Sequence, residues 1–150
     1  MKILLAVDGS AGSDAAAKEV ARRPWPTDSE LKIISVANPA LRTTPETWAL
    51  SVQHYQDADQ AAREEARAAL DHAASFFPVG ADEALKVITE VLAGPPADVI
   101  LDAAHAWGAD LIVVGSRGLG SLERFLLGSV SKEVALHAKC SVEIVRESEG

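Results

Sequence analysis

The sequence is poor in cysteine and in aromatic residues: it has one cysteine, and Phe, Trp and Tyr make up 5% of its 150 residues. Cys140 has no second cysteine to pair with, so the chain forms no internal disulfide, which agrees with a reducing compartment. No catalytic partner lies near Cys140 in sequence. We therefore interpret it as a small buried hydrophobe that enters the last strand.

Positive charge is also scarce, because 14 Lys and Arg stand against 22 Asp and Glu and leave a net charge of −8. Such a protein repels nucleic-acid backbones and anionic membrane surfaces on average, so we expect neither as a partner. No apolar run approaches the roughly 20 residues that span a bilayer. The first strand begins at Lys2, which leaves no room for a signal peptide, and we expect a cytoplasmic protein.

Apolar runs of strand length alternate with apolar stripes at helical spacing. Runs dense in Val, Ile and Leu predict strands at residues 2–7, 31–37, 85–91, 111–114 and 142–145. The third run alternates apolar and polar residues better than the others, so we expect it near a sheet edge. Stripes of Ala, Val and Ile predict a first helix that ends near residue 22 and three further helices over residues 57–77, 96–107 and 130–138.

Caps and breakers support the helix boundaries. Ser10 or Ser13 is placed to cap the first helix, Pro96 suits the first turn of the third, and Gly108 suits a left-handed C-cap. Residues 40–56 carry a weak pattern, which we interpret as a mobile or partly helical insertion.

The predicted order β-α-β-α-β-α-β-α-β fits one domain over residues 1–150. It predicts an α/β fold with a single open, mostly parallel five-stranded sheet and helices on both faces. In such sheets ligands bind outside the carboxyl ends of the strands, where the strand order reverses. The serine- and glycine-rich loops after strands one and four both leave carboxyl ends, so they face one ligand if these strands are neighbours.

The loop after the fourth strand contains Gly115, Gly118 and Gly120 and runs on to Gly128-Ser129. It is not a Walker loop and lacks the dinucleotide spacing Gly-x-Gly-x-x-Gly. A connection this long exceeds the usual few residues, which favours a function, and the free N–H groups of the helix that follows favour an anion. The alternative is a tight glycine turn in which Ser129 is an ordinary N-cap.

The chain resembles the universal stress protein family over nearly its whole length. The resemblance rests on the first strand with Asp8-Gly9-Ser10, on the segment 108–118, and on the segment 127–131 with His137-Ala138 and Cys140 after it. The ATP-binding subset of that family carries Gly-x2-Gly-x9-Gly-(Ser/Thr). This chain matches that motif at Gly115, Gly118, Gly128 and Ser129.

The resemblance implies a Rossmann-like sheet with strand order 3-2-1-4-5 and a site for ATP. It implies that the backbone at Gly118 and Gly128 and the Ser129 hydroxyl bind the phosphates, with Val130 and Ser131 at the helix start. Asp8 and Ser10 would contact the nucleoside, and Val36 would line the adenine pocket. The site residues so expected are Asp8, Ser10, Val36, Gly115, Arg117, Gly118, Gly128, Ser129, Val130 and Ser131. A β-branched side chain at Gly128 is expected to fill the space of the phosphates.

Charge compensation and a metal complete this expected site. Arg117 and Arg124 lie inside the loop, where they can offset phosphate charge; a solvated Arg124 is the alternative. Mg²⁺ would arrive with ATP, because phosphates and one or two carboxylates commonly hold it. Asp8 is the carboxylate we nominate.

The resemblance implies an ATP-binding stress-response or regulatory protein with at most slow hydrolysis, and a homodimer through the C-terminal strand. One alternative is an ATP-using enzyme of the adenylating or pyrophosphatase type, whose Ser-Gly-Gly-x-Asp-Ser signature residues 9–14 only faintly echo. Another is a structural dimer that binds no nucleotide. A hydrolase is disfavoured, because Asp8 replaces the first glycine of a nucleophile elbow and no two histidines have zinc-ligand spacing with a third partner.

Overall fold

A computed structural model describes residues 1–39, 52–78, 80, 85–119 and 126–148 of the chain. Within these residues, strands and helices alternate as the sequence predicts. In chain order they are β1 (Lys2–Ala6), α1 (Ala11–Arg22), β2 (Ser29–Ala37), α2 (Val52–Ala74), β3 (Leu85–Ala93), α3 (Pro96–Trp107), β4 (Leu111–Gly115), α4 (Ser129–His137) and β5 (Ser141–Val145).

The five strands form one parallel sheet in the order β3-β2-β1-β4-β5. The predicted fold class and strand order are confirmed. β1 lies at the centre because its side chains are apolar on both faces, and Ile3, Leu4 and Leu5 are fully buried. The pairing of Ile3 with Leu111 makes β1 and β4 neighbours. Both serine- and glycine-rich loops therefore begin side by side at the carboxyl ends of these two strands.

Helices cover both faces, and the alternation of side chains along β1 shows how. Ile3 and Leu5 pack in the same cluster as the buried residues of α1 and α2, whereas Leu4 packs with those of α3 and α4. Successive side chains of a strand point to opposite faces, so one central strand supplies both layers. No helix among the described residues is long and apolar enough to cross a membrane.

Several element boundaries differ from the prediction by a few residues. β2 begins at Ser29 and β3 continues to Ala93, because Ser29 pairs with Leu85 and Ala37 pairs with Ala93 in the ladder. Backbone hydrogen bonds thus extend β2 over the polar residues that precede its apolar run. In the weakly patterned segment, residues 52–56 belong to α2 and residues 40–51 lie outside the described part.

A charged contact joins α1 to the edge strand β5. Arg23, which follows α1, donates to both carboxylate oxygens of Glu143 at 2.7 and 2.6 Å. It also donates to Glu19 on α1 at 3.0 Å. The hydrogen bond from Arg23 is the main reason that the pKa of the Glu19 carboxyl lies below its ordinary value. This network fixes the edge of the sheet against the helix beside it.

Candidate functional site

A cavity of about 930 Å³ opens at the carboxyl edge of the sheet, beside the adjacent ends of β1 and β4. This is the point where the strand order reverses, and its volume lies within the roughly 300–1,000 Å³ of small-molecule pockets. Nine of the ten residues predicted for the site line it, and Ser10 is the exception. The topology therefore brings together residues that are more than 100 positions apart in sequence.

The wall of the cavity combines an apolar part with a polar part. Apolar side chains come from β2, α2, α3 and β4: Ile34, Val36, Ala62, Ala66, Ile100 and Val114. The polar part includes Asp8, the glycine loop and the first turn of α4, with Ser13, Ser35, Asn38 and Glu65 elsewhere in the wall. A ligand with a flat apolar group and an anionic group matches such a division.

The start of α4 is open to an anion. Its N-cap is Gly128, which has no side chain to accept a hydrogen bond, and the first intrahelical bond of this turn runs from the Lys132 N–H to the Gly128 carbonyl at 3.0 Å. The N–H groups of Ser129, Val130 and Ser131 precede it. By contrast, Ser10 caps α1 by accepting from the Ser13 N–H at 3.2 Å. The exposed Ser129 is the first residue of α4, so its interpretation as an ordinary N-cap is wrong.

Asp8 links the loop after β1 to the glycine loop. Its carboxylate accepts from the Ser10 N–H at 2.9 Å and from the Leu119 N–H at 3.1 Å. Gly118 leaves room for this contact, because a Cβ there would lie 2.6 Å from Asp8 Oδ2. Both carboxylate oxygens thus already accept a backbone N–H, and Asp8 shapes the glycine loop besides lining the cavity.

The described residues contain no cluster of three or more His, Cys, Asp or Glu that could hold a metal ion. Of the two carboxylates among the described residues that line the cavity, those of Asp8 and Glu65, the Asp8 carboxylate is the one that accepts a hydrogen bond from the Leu119 N–H. A Mg²⁺ ion here would depend chiefly on the phosphates of its ligand, as this ion commonly does.

Gly115 has a packing role that the motif does not reveal. A Cβ on Gly115 would lie 2.5 Å from the backbone carbon of Gly12, and a Cβ on Gly12 would lie 2.5 Å from the Arg117 carbonyl oxygen. The two glycines let the end of β4 lie directly against the first turn of α1. Sequence reasoning missed Gly12, for which the only signal was its place in the turn-rich segment after β1.

The buried Ser131 hydroxyl donates to the Gly115 carbonyl at 2.5 Å, and the Gly128 N–H donates to the Ser116 carbonyl at 2.7 Å. These bonds hold the start of α4 against the end of β4. A Cβ on Gly128 would lie 3.3 Å from the Ser116 oxygen and the Arg117 Cα. A Cβ at Gly128 would therefore press on the glycine loop, and the expectation that a β-branched side chain fills the space of the phosphates stays a prediction.

Arg117 lines the cavity, but its guanidinium is paired outside the cavity wall. Nη2 lies 3.3 Å from a carboxylate oxygen of Glu147, in the segment that follows β5. Arg124, the second arginine expected to offset phosphate charge, lies outside the described residues.

Sequence reasoning also missed several residues that line the cavity but lie far from the glycine motif in sequence. Asn38 follows β2, Ala62 and Ala66 lie on α2, and Pro96 begins α3. No local motif marks them, because they reach the cavity only through the packing of their elements over the sheet. The residues of α2 were predicted as a core stripe, and Ala62 and Ala66 are indeed buried.

Several solved structures share this architecture. Hypothetical protein MJ0577 is 23% identical, with a TM-score of 0.80 over 99% of this chain and 97% of its own. A universal stress protein in complex with cAMP is 26% identical, with a TM-score of 0.58 over 99% and 98%. An Arabidopsis thaliana universal stress protein family protein with AMP bound is 19% identical, with a TM-score of 0.68 over 99% and 93%. The first and the third show the fold alone.

Sequence comparison agrees with the structural comparison. The universal stress protein YxiE of Bacillus subtilis is 32% identical over 145 residues, which cover 97% of this chain and 98% of that protein. The model of the universal stress protein family matches residues 1–146. On these grounds the chain belongs to the universal stress protein family.

Proposed function

We propose that this protein binds ATP, together with Mg²⁺, in the glycine-loop cavity and serves as a stress-linked regulator with at most slow ATP hydrolysis. The observation that carries the proposal is the position of the motif. Gly118, Gly128 and Ser129 meet at the uncapped start of α4, in a cavity with an apolar wall. The related protein in complex with cAMP supports an adenine nucleotide as the ligand.

The roles of the residues follow from their places in the cavity. Phosphates would accept hydrogen bonds from the N–H groups of the first turn of α4 and from the Ser129 hydroxyl, helped by the positive end of the helix dipole. The adenine would lie against the apolar wall that includes Val36. Asp8 would hold Mg²⁺ or contact the nucleoside while it keeps the glycine loop in place.

A direct binding experiment tests this proposal. We expect the purified protein to release an adenine nucleotide on denaturation, or to bind added ATP with Mg²⁺ in a calorimetric titration. Adenosine and GTP, titrated in parallel, separate recognition of the base from recognition of the phosphates. Failure of ATP to bind at millimolar concentration would refute the proposal.

A turnover assay then separates a regulator from an ATP-using enzyme. We expect phosphate release that is slow and that does not depend on a second substrate. Fast turnover that requires a second substrate would favour the adenylating or pyrophosphatase alternative. If the protein forms dimers but binds no nucleotide, a purely structural role would be favoured.

We further propose one domain over residues 1–150, a cytoplasmic location and a homodimer formed through β5. The dimer rests on topology: β5 lies at one edge of the sheet and is hydrogen-bonded to β4. Edge strands of this kind are natural surfaces for pairing between subunits.

A further inference from the structure

The segment after β5 runs beside the glycine loop and meets its arginine. The Ser116 N–H donates to the Val145 carbonyl at 2.8 Å, which extends the pairing of β4 and β5 by one hydrogen bond. Two residues further on, Glu147 reaches Arg117 with an oxygen-to-nitrogen distance of 3.3 Å. Both side chains are partly exposed, at 21% for Arg117 and 36% for Glu147.

Arg117 is the single cationic residue among the described residues that line the cavity, whereas Asp8 and Glu65 bring negative charge. The whole chain carries a net charge of −8. Without a free guanidinium, the described part of the cavity therefore has only uncharged donors, which are backbone N–H groups, hydroxyls and the Asn38 amide, to offset the charge of a phosphate.

The backbone of Arg117 is fixed, so only its side chain can exchange partners. Its carbonyl accepts from the Ser10 hydroxyl at 3.4 Å and lies in the space that a Cβ on Gly12 would fill. A partly exposed ion pair contributes little net free energy. A phosphate, by contrast, offers bidentate hydrogen bonds to a guanidinium and carries more charge than a carboxylate.

We propose that Glu147 competes with ligand phosphates for Arg117, so that the segment after β5 limits the affinity of the cavity for highly charged nucleotides. This inference rests on the proposed nucleotide site and adds its regulation. The affinity for phosphates then depends on the position of the segment after β5, and any event that moves Glu147 away raises it.

The test compares the dissociation constants of adenosine, AMP, ATP and inorganic tripolyphosphate by calorimetry. The proteins are the full chain, Glu147→Gln, Arg117→Gln and the double variant. The matched control is Glu30→Gln, which removes the same charge near the start of β2, at the opposite end of the sheet. Gln at position 147 keeps the size of the side chain but cannot hold the guanidinium by charge.

We expect Glu147→Gln to tighten ATP and tripolyphosphate binding by about 3- to 10-fold, to affect AMP less and to leave adenosine unchanged. Arg117→Gln should weaken ATP binding. The double variant should bind ATP no more tightly than Arg117→Gln alone. Such non-additivity is the signature of residues that act through each other. Glu30→Gln should behave like the unchanged protein.

Three outcomes overturn the competition. In the first, Glu147→Gln binds ATP and tripolyphosphate no more tightly than the full chain does. In the second, Glu147→Gln still raises the affinity when Arg117 has been replaced. In the third, it raises the affinity for adenosine as much as that for ATP. If adenosine and AMP fail to bind but tripolyphosphate binds Glu147→Gln more tightly, the adenine proposal falls and the competition stands. If no phosphate compound binds either protein, both proposals fail.

Discussion

At the scale of single residues, two glycines of the same motif do different work. A Cβ added at Gly115 would clash with backbone, because it would lie 2.5 Å from the Gly12 carbon. A Cβ added at Gly118 would clash only with the end of one side chain, that of Asp8. Backbone in a helix turn cannot move aside without disturbing the helix, but a carboxylate can rotate. The motif therefore contains a packing glycine and a loop-shaping glycine.

Gly115→Ala is expected to lower the free energy of unfolding by about 1–3 kcal/mol, as overpacking usually does. The added methyl would force β4 away from the first turn of α1. Urea denaturation followed by circular dichroism measures the change. The control is Gly118→Ala, which should lower stability by no more than about 1 kcal/mol, the net value of the one hydrogen bond to Asp8 that it breaks. Equal stability of the two variants would contradict the assigned packing role.

Gly118→Ala is expected to weaken ATP binding by about 5- to 10-fold, because displacing Asp8 breaks the bond from the Leu119 N–H that keeps the glycine loop in the shape proposed to bind phosphates. Calorimetry in two backgrounds checks the cause. In an Asp8→Ala protein the clash partner is gone, so the same glycine substitution should cost little more. A loss of the same size in both backgrounds would show that Asp8 is not involved.

Sequence pattern was sufficient at this scale for the residues of the motif and insufficient for their contacts. The spacing of Gly115, Gly118, Gly128 and Ser129 identified residues that do line one cavity. The spacing could not reveal that Arg117 pairs with Glu147 or that Asp8 holds the Leu119 N–H. Such contacts depend on which strands become neighbours, and local sequence does not contain that information.

At the scale of elements, the Arg23 network makes α1 and the edge strand β5 one unit. Replacing Arg23 by Gln should lower the free energy of unfolding by about 1 kcal/mol at pH 7, because the bidentate bond to Glu143 is lost. Arg22→Gln is the matched control: Arg22 pairs with Glu19 but its side chain is 75% exposed, and we expect a smaller effect. Urea denaturation of both variants provides the comparison.

The pH dependence of the same variant has a definite sign. The pKa of Glu19 is lowered in the folded state from its ordinary value of 4.5, chiefly by Arg23. Its stabilising contribution is fully present above that ordinary value and is lost as the pH falls through the lower folded-state pKa. The stability difference between the unchanged protein and Arg23→Gln should therefore narrow below about pH 4.5. A gap that stays constant down to pH 2 would contradict this.

Periodicity predicted the type and order of the elements but not all their ends. The apolar runs located every strand of the sheet, and Gly108 is the left-handed C-cap expected, with φ of 74°. The first residues of β2, Ser29 and Glu30, are polar and belong to the sheet through the ladder, whereas the last residues of β3, Leu92 and Ala93, continue its apolar run. The strand that alternates best, β3, does lie at an edge.

At the scale of the whole molecule, β5 is the last strand at one side of the described sheet, and its residues turn their backbone groups alternately towards β4 and away from it. The Val145 carbonyl faces β4, since it accepts from the Ser116 N–H. Neighbouring residues of a strand present their backbone groups to opposite sides, so the N–H and C=O of Ile144 face outward. These are the groups that a second copy would pair with.

Ile144→Pro is expected to abolish a homodimer formed through this edge, because proline removes the outward donor. Light scattering after gel filtration should then show a mass near 15.8 kDa, compared with twice that value for the unchanged chain. Ile144→Ala loses a similar apolar contact but keeps the N–H, so it should remain dimeric. A dimeric proline variant would rule out pairing through β5.

The cavity also sets an order of events during synthesis of the protein. Its walls combine residues 6–8 with residues 114–118 and 126–131, joined by the pairing of β1 with β4. When the first hundred residues have been made, the chain contains the residues of three strands but none of β4, the glycine loop or α4, which complete the cavity. A nucleotide bound as we propose would therefore not assist the early steps of folding. It would stabilise only a chain whose final third has already packed beside its first strand.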